Sequence, residues 1–254
     1  MKPFLQKPPN HSSTKPCRSI PPFTERVTGL QIRGLDLRFD VSGALHVPDL
    51  RTIVVADLHL EKGSSYAMRG VFLPPYDTRS TLRALDEVCR RLRPERIISL
   101  GDSFHDGGAR SRLDAEDLVR IRHFTEAHEV IWLAGNHDKA PPIDLGGTVG
   151  SSIRLGPITL RHEPSHGSAT EPEIAGHLHP VAAIAQRGLR LRGRCFASDG
   201  ERLIMPAFGS FTGGLNVRSP AISSLFSQGK FAVWMLGRQA VYAFPSRVLL
   251  PEFS

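Results

Sequence analysis

Ile131-Trp132-Leu133-Ala134-Gly135-Asn136-His137-Asp138 is an apolar run that stops at a glycine and is followed at once by an amide, an imidazole and a carboxylate. Such a run reads as a central strand of an α/β sheet, buried on both faces. The polar groups after it fall at its carboxyl end, where open α/β sheets bind ligands. Three other runs end the same way: Ile53-Val54-Val55-Ala56 before Asp57-Leu58-His59, Ile97-Ile98-Ser99-Leu100 before Gly101-Asp102, and Ile158-Thr159-Leu160-Arg161 before His162. A fifth cluster, Gly176-His177-Leu178-His179, adds two imidazoles. Five clusters of Asp, Asn and His at strand ends predict a metal site assembled from across a sheet.

Between these runs lie helical periods. Asp77 to Leu92 places Leu82, Leu85, Val88 and Leu92 on one face, with Asp77 as its cap, Cys89 near the core and Pro94 beyond its end. Asp114 to about His128 does the same with Leu118, Ile121 and Phe124. Strand, helix, strand, helix, strand predicts parallel βαβ units. Upstream, Leu35 to Val41 and Ala44 to Val47 alternate around Ser42-Gly43 and predict a hairpin. Glu61 to Pro75 reads as a long loop with room for a short helix. The second half has short strands at Arg202–Met205, Phe231–Leu236 and Val241–Phe244, and a possible short helix at Pro172–Ile174. A second sheet packed on the first, within one domain over 26–254, is the expected arrangement. Residues 1–25, rich in Pro, Ser and Lys, carry too little apolar surface to offset ordering entropy and are expected to be a disordered tail.

The formal charge is +7, and only six of the 32 basic residues are Lys. An Arg excess suits bidentate phosphate binding, and coding bias accounts for it equally well. No run approaches a membrane span and the N-terminus lacks an apolar signal region. Cys17, Cys89 and Cys195 are widely spaced and form no CxxC pair, so neither a disulfide frame nor a zinc ribbon is expected, and a reducing cytoplasm is the expected location. No P-loop sequence and no Gly-x-Ser-x-Gly elbow are found.

Asp57, His59, Asp102, Asn136, His162, His177 and His179 offer two carboxylates, four imidazoles and an amide oxygen. Mixed N/O donors without thiolate suit two divalent ions of the Mn²⁺, Fe or Zn²⁺ kind, with Mn²⁺ the expectation. Seven donors exceed one tetrahedral centre, so a pair sharing a carboxylate is the economical solution. In order along the chain, Asp-x-His, Gly-Asp, Gly-Asn-His-Asp, His and Gly-His-x-His resemble the calcineurin-like metallophosphoesterases from Ile53 to His179. Asp57 to Gly63, Leu73 to Thr78, Leu100 to Asp106, Gly176 to Pro180 and Pro206 to Gly214 are similar to one bacterial subgroup, the ligase-associated DNA damage response endonucleases.

The resemblance implies an αββα four-layer sandwich of two mixed sheets flanked by helices. It implies that Asp57, His59 and His179 hold one metal, that Asn136, His162 and His177 hold the other, and that Asp102 bridges. It further implies that a metal-bridging hydroxide attacks phosphorus while His137 assists the leaving oxygen, with Asp138 orienting His137. His166, four residues beyond His162, sits in a Pro/Ser/Gly stretch and is the less suited of the two. His105, Arg69, Arg110 and Lys139 are candidates for substrate contact, and Phe208 and Phe211 are candidates for base stacking or core packing. The expected activity is DNA phosphodiester hydrolysis in repair, with DNA as partner and association with a repair ligase and helicase. A nucleotide or cyclic-nucleotide phosphodiesterase, or a non-catalytic scaffold, are the alternatives that stay open. Oligomeric state is not readable.

Overall fold

The computed structural model describes residues 29–252 apart from 141–142 and 168–170; the expected tail over 1–25 lies outside the described residues. The chain begins as an antiparallel meander, β1 (Gly29–Ile32), β2 (Leu35–Phe39) and β3 (Leu45–Val47), and enters β4 (Thr52–Val55). A short helix α1 (Lys62–Ala67) and the long α2 (Asp77–Leu92) lead to β5 (Arg96–Ser99). Helices α3 (Ala109–Arg112) and α4 (Ala115–Ala127) then lead to β6 (Glu129–Leu133) and β7 (Thr148–Gly150). These strands form one sheet in sequence order, antiparallel from β1 to β4 and parallel from β4 to β7.

The second sheet has the order β15-β14-β12-β13-β10-β9-β8. Its members are β8 (Ser152–Leu155), β9 (Ile158–Arg161), β10 (Glu173–Ala175), β12 (Leu189–Ser198), β13 (Arg202–Ile204), β14 (Ala232–Leu236) and β15 (Val241–Pro245). β11 (Val181–Gln186) pairs antiparallel with the outer half of β12. β10 runs parallel to both β9 and β13, so this sheet is mixed too.

Alternation along the strands sorts the side chains into layers. Val54, Ile98 and Ile131 face inward and meet Leu160, Ile174, Phe196, Leu203 and Trp234 of the second sheet. Ile53, Val55, Ile97, Val130 and Trp132 face outward and are covered by Leu82, Leu85 and Val88 of α2 and Ile121 and Phe124 of α4. The outer face of the second sheet is covered by Val217, Ile222, Phe226 and Leu249. That fourth layer is thin: among the described residues its one α-helix, α5, spans only Pro220–Ser223. No helix among the described residues is long and apolar enough to cross a membrane.

Two local expectations are corrected. Pro172–Ile174 is not helical: Glu173–Ala175 is the fully buried strand β10, and three residues between two parallel neighbours are too few to show a period. Asp77 does not cap α2, whose N-cap is Tyr76 without a side-chain bond. Its carboxylate instead accepts the Gly63 N–H at 2.9 Å, capping α1 from a distance. Nearby, the Glu61 N–H donates to the Thr78 hydroxyl, which donates back to the Glu61 carboxylate. The two motifs Asp57–Gly63 and Leu73–Thr78 are thereby tied to each other.

Candidate metal centre

Three of the strands that enter the centre, β4, β5 and β10, end in turns that an L-residue adopts at a cost. Asp57, His59, Asp102, His177 and His179 all have φ between 44° and 67°. Left-handed backbone at non-glycine residues costs about 1–3 kcal/mol each and persists only where the surroundings over-determine it. Here the surroundings are backbone bonds between the ends of β4 and β5: the His59 N–H donates to the Asp102 carbonyl at 2.8 Å and the Leu60 N–H to that of Ser103 at 2.9 Å. The Phe208 N–H donates to the Ala56 carbonyl at 2.8 Å, which docks the 206–214 segment against the same strand end. Phe208 itself is buried in the core beneath α2, whereas Phe211 is exposed.

The turns bring all seven predicted donors together. Asp57, His59 and His179 form one group with ligand atoms within 4.8 Å of one another, and Asp102, His162 and His177 form a second. The His59 and His179 Nε2 atoms are 3.4 Å apart, and His179 Nε2 lies 3.4 Å from Asp57 Oδ1. In the second group His162 Nε2 lies 2.9 Å from Asn136 Oδ1, 3.2 Å from His177 Nδ1 and 3.5 Å from Asp102 Oδ2. Asp102 stands between the groups, its Oδ2 also 3.9 Å from His59 Nε2. His166 is exposed and takes no part.

The donor chemistry fits divalent cations. His162 Nδ1 is 2.8 Å from the Leu100 carbonyl, so the ring's proton sits there and Nε2 carries a lone pair. That lone pair faces an amide oxygen and a carboxylate, an arrangement of acceptors that a bound cation would reconcile. Burial first, then the neighbouring His179 and His137, push His59 down to about 2, so its ring is neutral and one of its nitrogens carries a lone pair for coordination.

The glycine before Asn136 makes this packing possible. A Cβ on Gly135 would stand 2.1 Å from Asp102 Oδ1 and 2.3 Å from Asp102 N. Gly135→Ala is therefore expected to displace Asp102 and weaken Mn²⁺ binding roughly 10- to 100-fold, read by calorimetric titration. Wild-type affinity in that variant would remove the close approach from the account.

His137 is exposed beside the donors. Its backbone N–H donates to Asp102 Oδ1 at 2.9 Å, and its Nδ1 meets the His105 carbonyl at 2.9 Å. Asp138 does not orient it. The Asp138 carboxylate is buried and accepts the backbone N–H groups of Phe104 at 3.0 Å and Gly135 at 3.2 Å. Burial first, with the nearby Asp102 charge, pushes Asp138 up to about 7. The residue next to a histidine points its side chain elsewhere, and a carbonyl 32 residues away supplies the orienting acceptor instead. His105 stacks on His137, ring centroids 5.1 Å apart, and His59, His105 and His137 make a third imidazole group.

The substrate candidates divide. Arg69 is exposed, and its charge, with that of Lys62, acts on His105. Arg110 turns away to Asp144 at 2.7 Å. Asp106 is held by Arg112 through two contacts of 2.8 and 2.9 Å. Sequence reasoning passed over Arg161 and Tyr66. Tyr66 sits 5.7 Å from the His105 ring; Arg161 lies on the rim of a cleft beside Asn136 and His162. The signal for Arg161 was its position one residue before His162 at a strand end.

Comparison with known proteins agrees with the geometry. The family model for calcineurin-like phosphoesterases matches residues 50–187. The crystal structure of a Pseudomonas putida nuclease, MPE, is similar over 85% of this chain and 98% of that one, with 33% identity and a TM-score of 0.65. Yfce, a phosphoesterase from E. coli, aligns over 75% of this chain and 95% of its own at 15% identity and a TM-score of 0.38. A search of the curated proteins found no match.

Proposed function

This chain belongs to the calcineurin-like phosphoesterases and is a metal-dependent phosphoesterase, and from that premise we propose that it hydrolyses DNA phosphodiesters in a repair setting, with Mn²⁺ as its metal. The observation that carries the reading is the convergence of two donor groups on a shared Asp102. In the proposed assignment Asp57, His59 and His179 would hold one ion, Asn136, His162 and His177 the other, and Asp102 would be shared by the two. Ions so held supply Lewis acidity to a phosphoryl oxygen.

The chain's own groups do the rest. Hydrolysis of a diester adds water across one P–O bond, and the departing oxygen must gain a proton. His137 is placed to give it: Nδ1–H on the His105 carbonyl fixes the ring, and Nε2 faces substrate, where the imidazolium form of the ring would donate its second proton. The 33% identity to a nuclease and the subgroup motifs support a nucleic-acid substrate. Association with a repair ligase and helicase rests on those motifs alone.

Purified protein with Mn²⁺ is expected to cleave both single-stranded DNA and bis-p-nitrophenyl phosphate, and to lose both activities to EDTA. Cleavage of the small ester alone would favour a nucleotide or cyclic-nucleotide phosphodiesterase. Cleavage of neither would favour a scaffold.

A further inference from the structure

A cleft of about 460 Å³ opens directly beside the second donor group, with Asn136, Lys139, Ser151, Ser152, Arg161 and His162 among the residues that line it. Two of its walls, Asn136 and His162, are donors in the centre itself, so the cleft is continuous with the centre. The other walls are built for an anion. Lys139 is exposed. Ser151 and Ser152 bring two hydroxyls. Arg161 has 39% of its side chain exposed, and its Nε is buried without a hydrogen bond.

The charge on Arg161 is only partly neutralised. Its nearest carboxylate is Glu173, 3.5 Å from Nε. Glu173 is already engaged by the fully buried Arg202, whose remaining bonds go to the carbonyls of Ser165, Gly167 and Leu225 and the Ser165 hydroxyl. One carboxylate thus serves two guanidinium groups and leaves a net positive charge on the cleft side. Glu163 is the single acidic residue among the lining residues, against Lys139 and Arg161.

We propose that this cleft seats the phosphate next along the strand from the scissile one, so that Lys139 and Arg161 set a preference for polynucleotides over small diesters. The inference rests on the phosphodiesterase reading and goes beyond it, because a cyclic or mononucleotide ester has no second phosphate to place there. A guanidinium or ammonium on a phosphate forms the stronger, charge-assisted kind of hydrogen bond, and the loss of each is expected to cost about tenfold in affinity.

The test is the ratio of kcat/KM on a single-stranded oligonucleotide to that on bis-p-nitrophenyl phosphate, with Mn²⁺. Lys139→Ala is expected to lower the ratio about tenfold and Lys139→Ala with Arg161→Gln about a hundredfold, mainly through KM for the oligonucleotide. An oligonucleotide carrying one methylphosphonate beside the cleaved linkage should lose the same factor on the wild type and little on the double variant. An unchanged ratio, or a methylphosphonate penalty that persists in the double variant, overturns the proposal. Lys139 is exposed, so Lys139→Ala stays decisive if Arg161→Gln loosens Glu173. Failure of the wild type to hydrolyse the small ester would instead sink the phosphodiesterase reading, so the two failures are distinguishable.

Discussion

His137→Ala is expected to lower kcat for DNA cleavage by about 10²- to 10⁴-fold, with the bound metal content equal to that of the wild type. The loss corresponds to roughly 3–5 kcal/mol of transition-state stabilisation, the contribution of a well-placed proton donor. The metal content should survive because only the backbone N–H of His137 touches Asp102, and alanine keeps that group. The substrate decides whether the role is proton transfer. The alkoxide expelled from DNA is a strong base and needs the proton. The p-nitrophenolate expelled from bis-p-nitrophenyl phosphate is a weak base and needs it far less. The penalty on DNA should therefore exceed that on the activated ester by a wide margin. Equal penalties on the two would assign His137 to charge stabilisation rather than to proton donation, and no penalty on either would take it out of the reaction.

How far the centre could be read beforehand depended on the kind of residue. Hydrophobic periods at Ile53–Ala56, Asp77–Leu92, Ile97–Leu100 and Ile131–Ala134 reported β4, α2, β5 and β6 because burial on two faces or one stripe leaves a period in the chain. The donors were legible because metal chemistry restricts residue type and a parallel sheet puts its ligands at one end of its strands. What was hidden was direction. Nothing in Asn136-His137-Asp138 says that Asp138 turns inward to two backbone N–H groups while the imidazole finds a carbonyl at His105. Nor does a sequence of L-residues announce that Asp57, His59, Asp102, His177 and His179 all take left-handed backbone. The β11–β12 hairpin was missed for a plainer reason. Val181-Ala182-Ala183-Ile184 and Leu189-Arg190-Leu191-Arg192 each carry a weak or one-sided signal, and their pairing from Val181↔Arg194 to Gln186↔Leu189 depends on a turn at Arg187-Gly188.

The same blindness to direction hid the second sheet's main polar anchor, and it sets the largest stability effect. Arg202 is fully buried, and Glu173 nearly so. Arg202→Met is expected to destabilise the fold by about 3–5 kcal/mol, because it leaves the buried Glu173 charge with only Ser165 and the 3.5 Å contact to Arg161, and takes the donor from the carbonyls of Ser165, Gly167 and Leu225. Against a total stability of about 5–15 kcal/mol, that loss would leave a substantial unfolded fraction in mild urea. It would also loosen the chain after His162, since the guanidinium gathers the carbonyls of Ser165 and Gly167 and reaches across to Leu225. Arg202→Met combined with Glu173→Leu should recover much of the loss, since well-packed apolar groups often replace a buried ion pair at little cost. Chemical denaturation of the three proteins separates the causes. Recovery in the double variant assigns the penalty to the stranded Glu173 charge. A double variant as unstable as the single one would assign it to the orphaned carbonyls, and the role of Arg202 would then be to hold the loop behind His162 rather than to neutralise Glu173.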